Sequence, residues 1–137
     1  MLQTRKHSRK RDAILACVRS TTCHPAAEWV YAQLKPEIPD LSLGTVYRNL
    51  AMFKQSGEIM SVGTVAGLER FDGNTAPHPH FVCTHCTSVY DVAQETLPVS
   101  FVHSAEAATG GEIESYQLSY YGVCPNCRNK KSEIGKI

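Results

Sequence analysis

The apolar positions in the first half of the chain fall into three helical stripes. In residues 9–19, Ala13, Ile14, Cys17 and Val18 recur at i, i+1, i+4 and i+5, the spacing that lines one face of an α-helix. Cys17 lies on that stripe and reads as a core residue rather than a ligand. The stripe stops at Ser20-Thr21-Thr22. A second helix is predicted to begin at Pro25, whose missing N–H suits the first helical position. It carries Ala27, Val30, Tyr31 and Leu34 at helical spacing and closes at Lys35-Pro36, so His24 falls on the loop before it. Residues 36–40 read as a turn. Ser42 can then cap a third helix in which Leu43, Val46, Leu50 and Phe53 share a face, and Gly57 terminates it. The opposite face offers Thr45, Tyr47, Arg48 and Asn49, side chains suited to phosphates and base edges.

Beyond Gly57 the period shortens. Residues 58–62 and 69–71 flank the Gly-rich stretch 63–68 and predict a two-stranded hairpin. Three short helices with a polar third helix and a following hairpin describe a winged helix-turn-helix DNA-binding module, although a generic three-helix core with a hairpin would share the pattern. Residues 72–77, Asp-Gly-Asn-Thr-Ala-Pro, are turn formers without periodicity and read as an interdomain hinge. Strands are expected over 80–84, 88–92 and 115–123, the last with Tyr116, Leu118 and Tyr120 on one side. Partial helix is expected over 95–108, interrupted by Pro98.

No apolar run approaches the length of a membrane span, and the charged N-terminus is not followed by a signal-type apolar segment. The expectation is a cytoplasmic protein. The net charge of +1 hides an asymmetry: residues 1–57 hold nine Lys/Arg against four Asp/Glu, and residues 58–137 hold five against nine. A basic front half agrees with a nucleic-acid reader, though runs such as Arg9-Lys10-Arg11 are commonly just solvated helix ends.

The richest chemistry lies in residues 78–86, His-Pro-His-Phe-Val-Cys-Thr-His-Cys. The Cys83/Cys86 pair is answered by Cys124/Cys127. Two CxxC knuckles supply the four thiolates of a closed tetrahedral zinc site, and the 37 residues between them require a subdomain folded in the middle. Disulfides or core cysteines are the alternative, but nothing else in the chain suggests a secreted disulfide framework. His78 and His80 cannot join a filled four-thiolate shell and need a different metal or a different role.

These residues, with His24-Pro25-Ala26-Ala27-Glu28, Thr45-Val46-Tyr47-Arg48-Asn49-Leu50, Arg70-Phe71-Asp72 and 121–127 (Tyr-Gly-Val-Cys-Pro-Asn-Cys), resemble the motifs of the ferric-uptake-regulator superfamily over essentially the whole chain. They are most like its peroxide-sensing branch. The resemblance implies an α+β protein: a winged helix-turn-helix domain (1–71), a hinge (72–77), and a small α/β dimerisation and metal-binding domain (78–137), acting as a homodimer on inverted-repeat double-stranded DNA operators. It further implies a regulatory Fe(II) or Mn(II) site made of His24, Asp72, His78, His80 and Asp91, beside the structural Zn(II). Three imidazoles with two carboxylates suit such an ion. Iron sensors of the family typically carry a glutamate where this chain has Asp91, so the resemblance favours peroxide sensing through oxidation of His24 or His78 to 2-oxo-histidine. It implies no substrate other than peroxide as signal.

Three departures from the pattern bear on that reading. The short N-terminus suggests that a leading helix found in some members is absent. Positions 115 and 116 are Ser and Tyr, which predicts no complete third metal site. Cys23 is outside the family pattern; it reads as a small loop residue, with a redox-active thiol as the alternative. His7, His85 and His103 read as surface histidines. Two other functions compete within or beside the family, an iron-supply sensor and a zinc-stabilised DNA-binding protein without sensing. The second would leave the His/Asp set unexplained. A zinc nucleobase deaminase fails, because its signature needs a Glu two residues after the histidine and position 80 is His.

Overall fold

The computed structural model describes residues 8–93 and 100–134. The chain divides into two compact units, Met1–Thr75 and Ala76–Ile137.

The first unit contains helices α1 (Arg9–Arg19), α2 (Ala27–Leu34) and α3 (Leu43–Ser56), followed by antiparallel strands β1 (Met60–Val65) and β2 (Leu68–Asp72). The three stripes converge on one core, in which Ile14, Val18, Val30, Val46, Leu50 and Phe53 are fully buried together with Ile59 and Phe71 from the hairpin. Cys17 and Leu43 pack against it, partly buried. Ser8 and Ser42 cap their helices by accepting the backbone N–H groups of Arg11 and Thr45. Gly57, at φ 81°, ends α3 in the left-handed conformation that glycine adopts without a Cβ penalty.

Two expectations here need correction. The second helix starts at Ala27, not at Pro25. His24 has a left-handed backbone (φ 54°), and the carbonyl of Pro25 accepts the Phe71 N–H of β2 at 3.0 Å, so the His-Pro pair is used as a tether before the helix begins. The hairpin loop is also shorter than residues 63–68. Gly63 sits at a bulge in β1, and only Ala66 and Gly67, both at positive φ, turn the chain; two left-handed central residues match the twist of a tight hairpin.

The second unit holds a three-stranded sheet in the order β4-β3-β5, made of β3 (His80–Cys83), β4 (Val89–Asp91) and β5 (Ser119–Gly122), with helices α4 (Ser100–Thr109) and α5 (Pro125–Ile134). β4 runs antiparallel to β3, and β5 runs parallel to it. The strand predicted over 115–123 is only four residues long because its partner is. Pro79, which has no N–H to give, precedes β3, and the cysteine knuckle follows it. Tyr116 lies outside the strand and meets Phe101 edge-on at 6.5 Å. β3 and β4 are likewise shorter than 80–84 and 88–92. The predicted helix over 95–108 appears as α4 from Ser100; Pro98, like His7, lies outside the described residues. No helix among the described residues is long and apolar enough to cross a membrane.

Candidate metal centres and DNA-recognition helix

The four cysteines come from two knuckles that the sheet brings side by side. Cys83 ends β3, Gly122 of β5 is its register partner, and Cys124 follows two residues later. The Sγ atoms of Cys83, Cys86, Cys124 and Cys127 lie within 4.8 Å of one another. Cys86 and Cys124 are 3.6 Å apart, close to the edge of a tetrahedron with Zn–S bonds of about 2.3 Å, which is about 3.8 Å. None of the six cysteines is disulfide-bonded. The backbone prepares the cluster for anionic sulfur: Cys83 Sγ accepts the N–H groups of Cys86 at 3.5 Å and Cys124 at 3.3 Å, and Cys124 Sγ accepts that of Cys127 at 3.5 Å. Burial raises the Cys83 thiol, but these N–H groups and that of His85 outweigh it and bring it down to about 5. Burial and then the neighbouring sulfurs push Cys127 up to about 12. Four sulfurs this close cannot all be thiolates without a cation among them, and the donor set fits zinc.

In the same unit, the HxH spacing places His78 just before β3 and His80 at its start, with the rings 4.4 Å apart at their centroids. Register pairs His80 with Asp91 across β3 and β4. Asp91 Oδ1 lies 2.7 Å from His78 Nε2 and 3.3 Å from His80 Nε2. His78 Nδ1 is 2.6 Å from the Ala76 carbonyl, the kind of contact that fixes a ligand imidazole's tautomer and leaves its other nitrogen to ligate. His80 is 1% exposed.

In the first unit, His24 Nε2 lies 3.2 Å from Asp72 Oδ2, both side chains buried. A clamp that sequence reading overlooked holds this pair. Arg70 donates from Nε to the His24 carbonyl and from Nη2 to the Cys23 carbonyl, the latter at 2.8 Å. With the Phe71 N–H on Pro25, three bonds tie the loop before α2 to the two residues of β2 that precede Asp72. Asp72 also accepts the Asn74 N–H at 2.8 Å, ordering the chain just beyond the strand. Arg70 was visible in its motif, but nothing in a single sequence says which carbonyls a guanidinium will reach. Cys23 is exposed on the same loop.

On α3, Tyr47 and Arg48 are exposed while Thr45 and Asn49 are half-buried. Arg48 Nη2 donates to Thr45 Oγ1 at 3.1 Å, and Asn49 Nδ2 donates to the Thr45 carbonyl at 2.8 Å. The Tyr47 hydroxyl donates to Glu28 Oε1 on α2. That bond, then burial and the carboxylate's charge, holds the phenol above its ordinary range.

Residues 3–121 match the model of the ferric uptake regulator family. The chain belongs to the ferric uptake regulator family. Among curated relatives, it is 32% identical over 121 residues to the peroxide-responsive repressor PerR of Staphylococcus aureus, covering 88% of this chain and 81% of that protein. Among solved structures, the Campylobacter jejuni peroxide stress regulator superposes with a TM-score of 0.73 at 25% identity, over 86% of this chain and 88% of that one. The Vibrio cholerae ferric uptake regulator gives the same TM-score and identity, over 87% and 92%. This family member therefore has the expected α+β architecture, a winged helix followed by a small α/β domain with a four-cysteine site that suits zinc. It also carries His/Asp donors that suit a regulatory metal.

Proposed function

We propose that this protein is a metal-dependent, DNA-binding repressor that responds to peroxide, and that His24, Asp72, His78, His80 and Asp91 together hold one regulatory Fe(II) or Mn(II). The observation that carries the reading is Asp91, a short carboxylate shared between the imidazoles of His78 and His80. It occupies the position at which, by resemblance, iron sensors use glutamate. The identity with peroxide-responsive repressors over most of the chain supports it.

When bound, ferrous iron would supply the one-electron reduction of peroxide; the response lies in the chain's own groups. Five protein donors leave room for one more ligand on an ion that favours six. Three of those donors are imidazoles, and by resemblance His24 and His78 are the ones oxidised. Net conversion of histidine and H2O2 to 2-oxo-histidine and water adds a carbonyl beside a ring nitrogen and removes that nitrogen's basic lone pair. The oxidised ring ligates poorly. Without its ion the dimer loses the arrangement in which two recognition helices, each an α3, meet successive major grooves about 34 Å apart. Thr45, Tyr47, Arg48 and Asn49 are the residues assigned to DNA.

The second reading, a sensor of iron supply, has the equal match to the V. cholerae ferric uptake regulator in its favour. A duplex-binding titration with metal-free, Mn(II)-loaded and Fe(II)-loaded protein, with and without peroxide, separates the two. Peroxide sensing predicts metal-dependent binding in both loaded forms and loss on peroxide in the iron form alone. Loss on iron removal with indifference to peroxide favours iron supply, and binding without any regulatory metal contradicts both.

A further inference from the structure

Glu28 lies on the first turn of α2 and the function above leaves it without a role, yet it takes the only proton of an exposed recognition-helix side chain. A phenol hydroxyl has one donor and two acceptor lone pairs, and an ionised carboxylate only accepts. The bond between Tyr47 and Glu28 can therefore run one way only, from the hydroxyl to Oε1. Glu28 Oε2 is buried without a hydrogen-bond partner among the described residues, so the carboxylate gains from keeping its single donor. Tyr47 is 47% exposed and its phenol stays protonated. What it presents outward is a hydroxyl that can accept and cannot donate.

We infer that Glu28 is a specificity-positioning residue: by occupying the Tyr47 proton it turns Tyr47 into an acceptor-only reader that selects an exocyclic amine, adenine N6 or cytosine N4, at one position of each operator half-site. This rests on α3 being the recognition helix. In the major groove those amines are the only base-edge donors, whereas guanine N7 and O6 and thymine O4 accept. A phosphate oxygen accepts as well, and the usual tyrosine contact to phosphate needs the proton that Glu28 holds. The Glu28 charge adds repulsion against phosphate. Both effects direct the Tyr47 oxygen toward a base.

The test selects a randomised duplex library with Mn(II)-loaded full-length protein and then replaces single bases in the enriched sequence. Wild type should require adenine or cytosine at one position per half-site. Substituting purine for that adenine, or 2-pyrimidinone for that cytosine, removes only the amine and should weaken binding roughly fivefold, the worth of one hydrogen bond. Tyr47→Phe should bind both duplexes alike. Glu28→Ala, checked for fold by circular dichroism, frees the proton and should admit thymine or guanine at that position, with discrimination falling to about twofold or less. Glu28→Gln still offers an acceptor oxygen and should restore the amine requirement. A wild type with no amine-dependent position, a Tyr47→Phe that keeps the dependence, or a Glu28→Ala with unchanged preference overturns the inference. Arg48→Ala in parallel distinguishes the sources of failure. If it binds as wild type, the recognition-helix assignment itself is wrong; if it weakens binding and the amine dependence is missing, only the role of Glu28 is.

Discussion

His24 Nε2 and Asp72 Oδ2 stand 3.2 Å apart in the first unit, one from the loop before α2 and the other from the end of β2. Neither residue fixes that distance alone. His24 holds a left-handed backbone that a non-glycine residue adopts at some cost, and Arg70 keeps it there through the carbonyls on either side of the Cys23–His24 bond.

Arg70→Ala should therefore loosen His24 without touching a donor atom. Losing a group that orients a metal ligand typically costs about 10–100-fold in affinity, and that loss is expected for Mn(II) by competition titration, with zinc content unchanged. Mn(II) affinity within about twofold of wild type would show that the loop holds its shape without the clamp.

Gly73 makes a related prediction by steric means. A Cβ there would lie 2.8 Å from Arg19 Cα and 3.2 Å from the Val18 carbonyl, and backbone atoms do not yield as a flexible side-chain tip does. Gly73→Ala should destabilise the first unit by about 1–3 kcal/mol, read as a lower midpoint in urea. An unchanged midpoint would mean that the segment after β2 moves away at no cost.

How much of this was legible in the chain differs by element. The three helices were, because Ile14/Val18, Ala27/Val30 and Val46/Leu50/Phe53 bury at the spacing the sequence displays. The cysteine cluster was, because CxxC fixes local geometry and a tetrahedral site wants four thiolates. The start of α2 was not, because the Pro25 carbonyl is claimed by Phe71, far along the chain. Nor was the length of β5, which β3 sets. Periodicity is blind to such tertiary partners, and for the same reason it assigned no work to Arg70 or Glu28. His24, Asp72, His78, His80 and Asp91 became a set only through resemblance; one at a time they read as a loop histidine, a turn aspartate and strand ends.

Zinc removal has a strong expected effect. Thiolate ligation contributes folding free energy directly in modules of this kind, and Cys124 is fully buried at the junction of the two knuckles. Cys124→Ser, and equally Cys83→Ser, should release zinc, unfold the second unit and abolish the proposed dimer, as read by metal analysis with sedimentation. A folded, dimeric Cys124→Ser protein without zinc would contradict a structural role for the site.

Arg48→Ala should weaken operator binding by about 1–3 kcal/mol if its guanidinium reads a guanine. A phosphate contact would instead lower affinity for all sequences and flatten the salt dependence. Metal content and dimerisation should not change. Wild-type affinity in a gel-shift assay at matched salt would remove α3 from the interface.

The proposed response to peroxide is tested most directly by peptide mass spectrometry. Protein loaded with Fe(II) or with Mn(II) is exposed to sub-stoichiometric peroxide and digested, and the peptides carrying His24 and His78 are weighed. One added oxygen is expected on His24 or His78 in the iron form, with loss of DNA binding in proportion, and intact histidines in the manganese form. An iron form that stays on DNA with both histidines intact would contradict the proposed response, and oxygen found on Cys23 instead would move the sensing chemistry from imidazole to thiol.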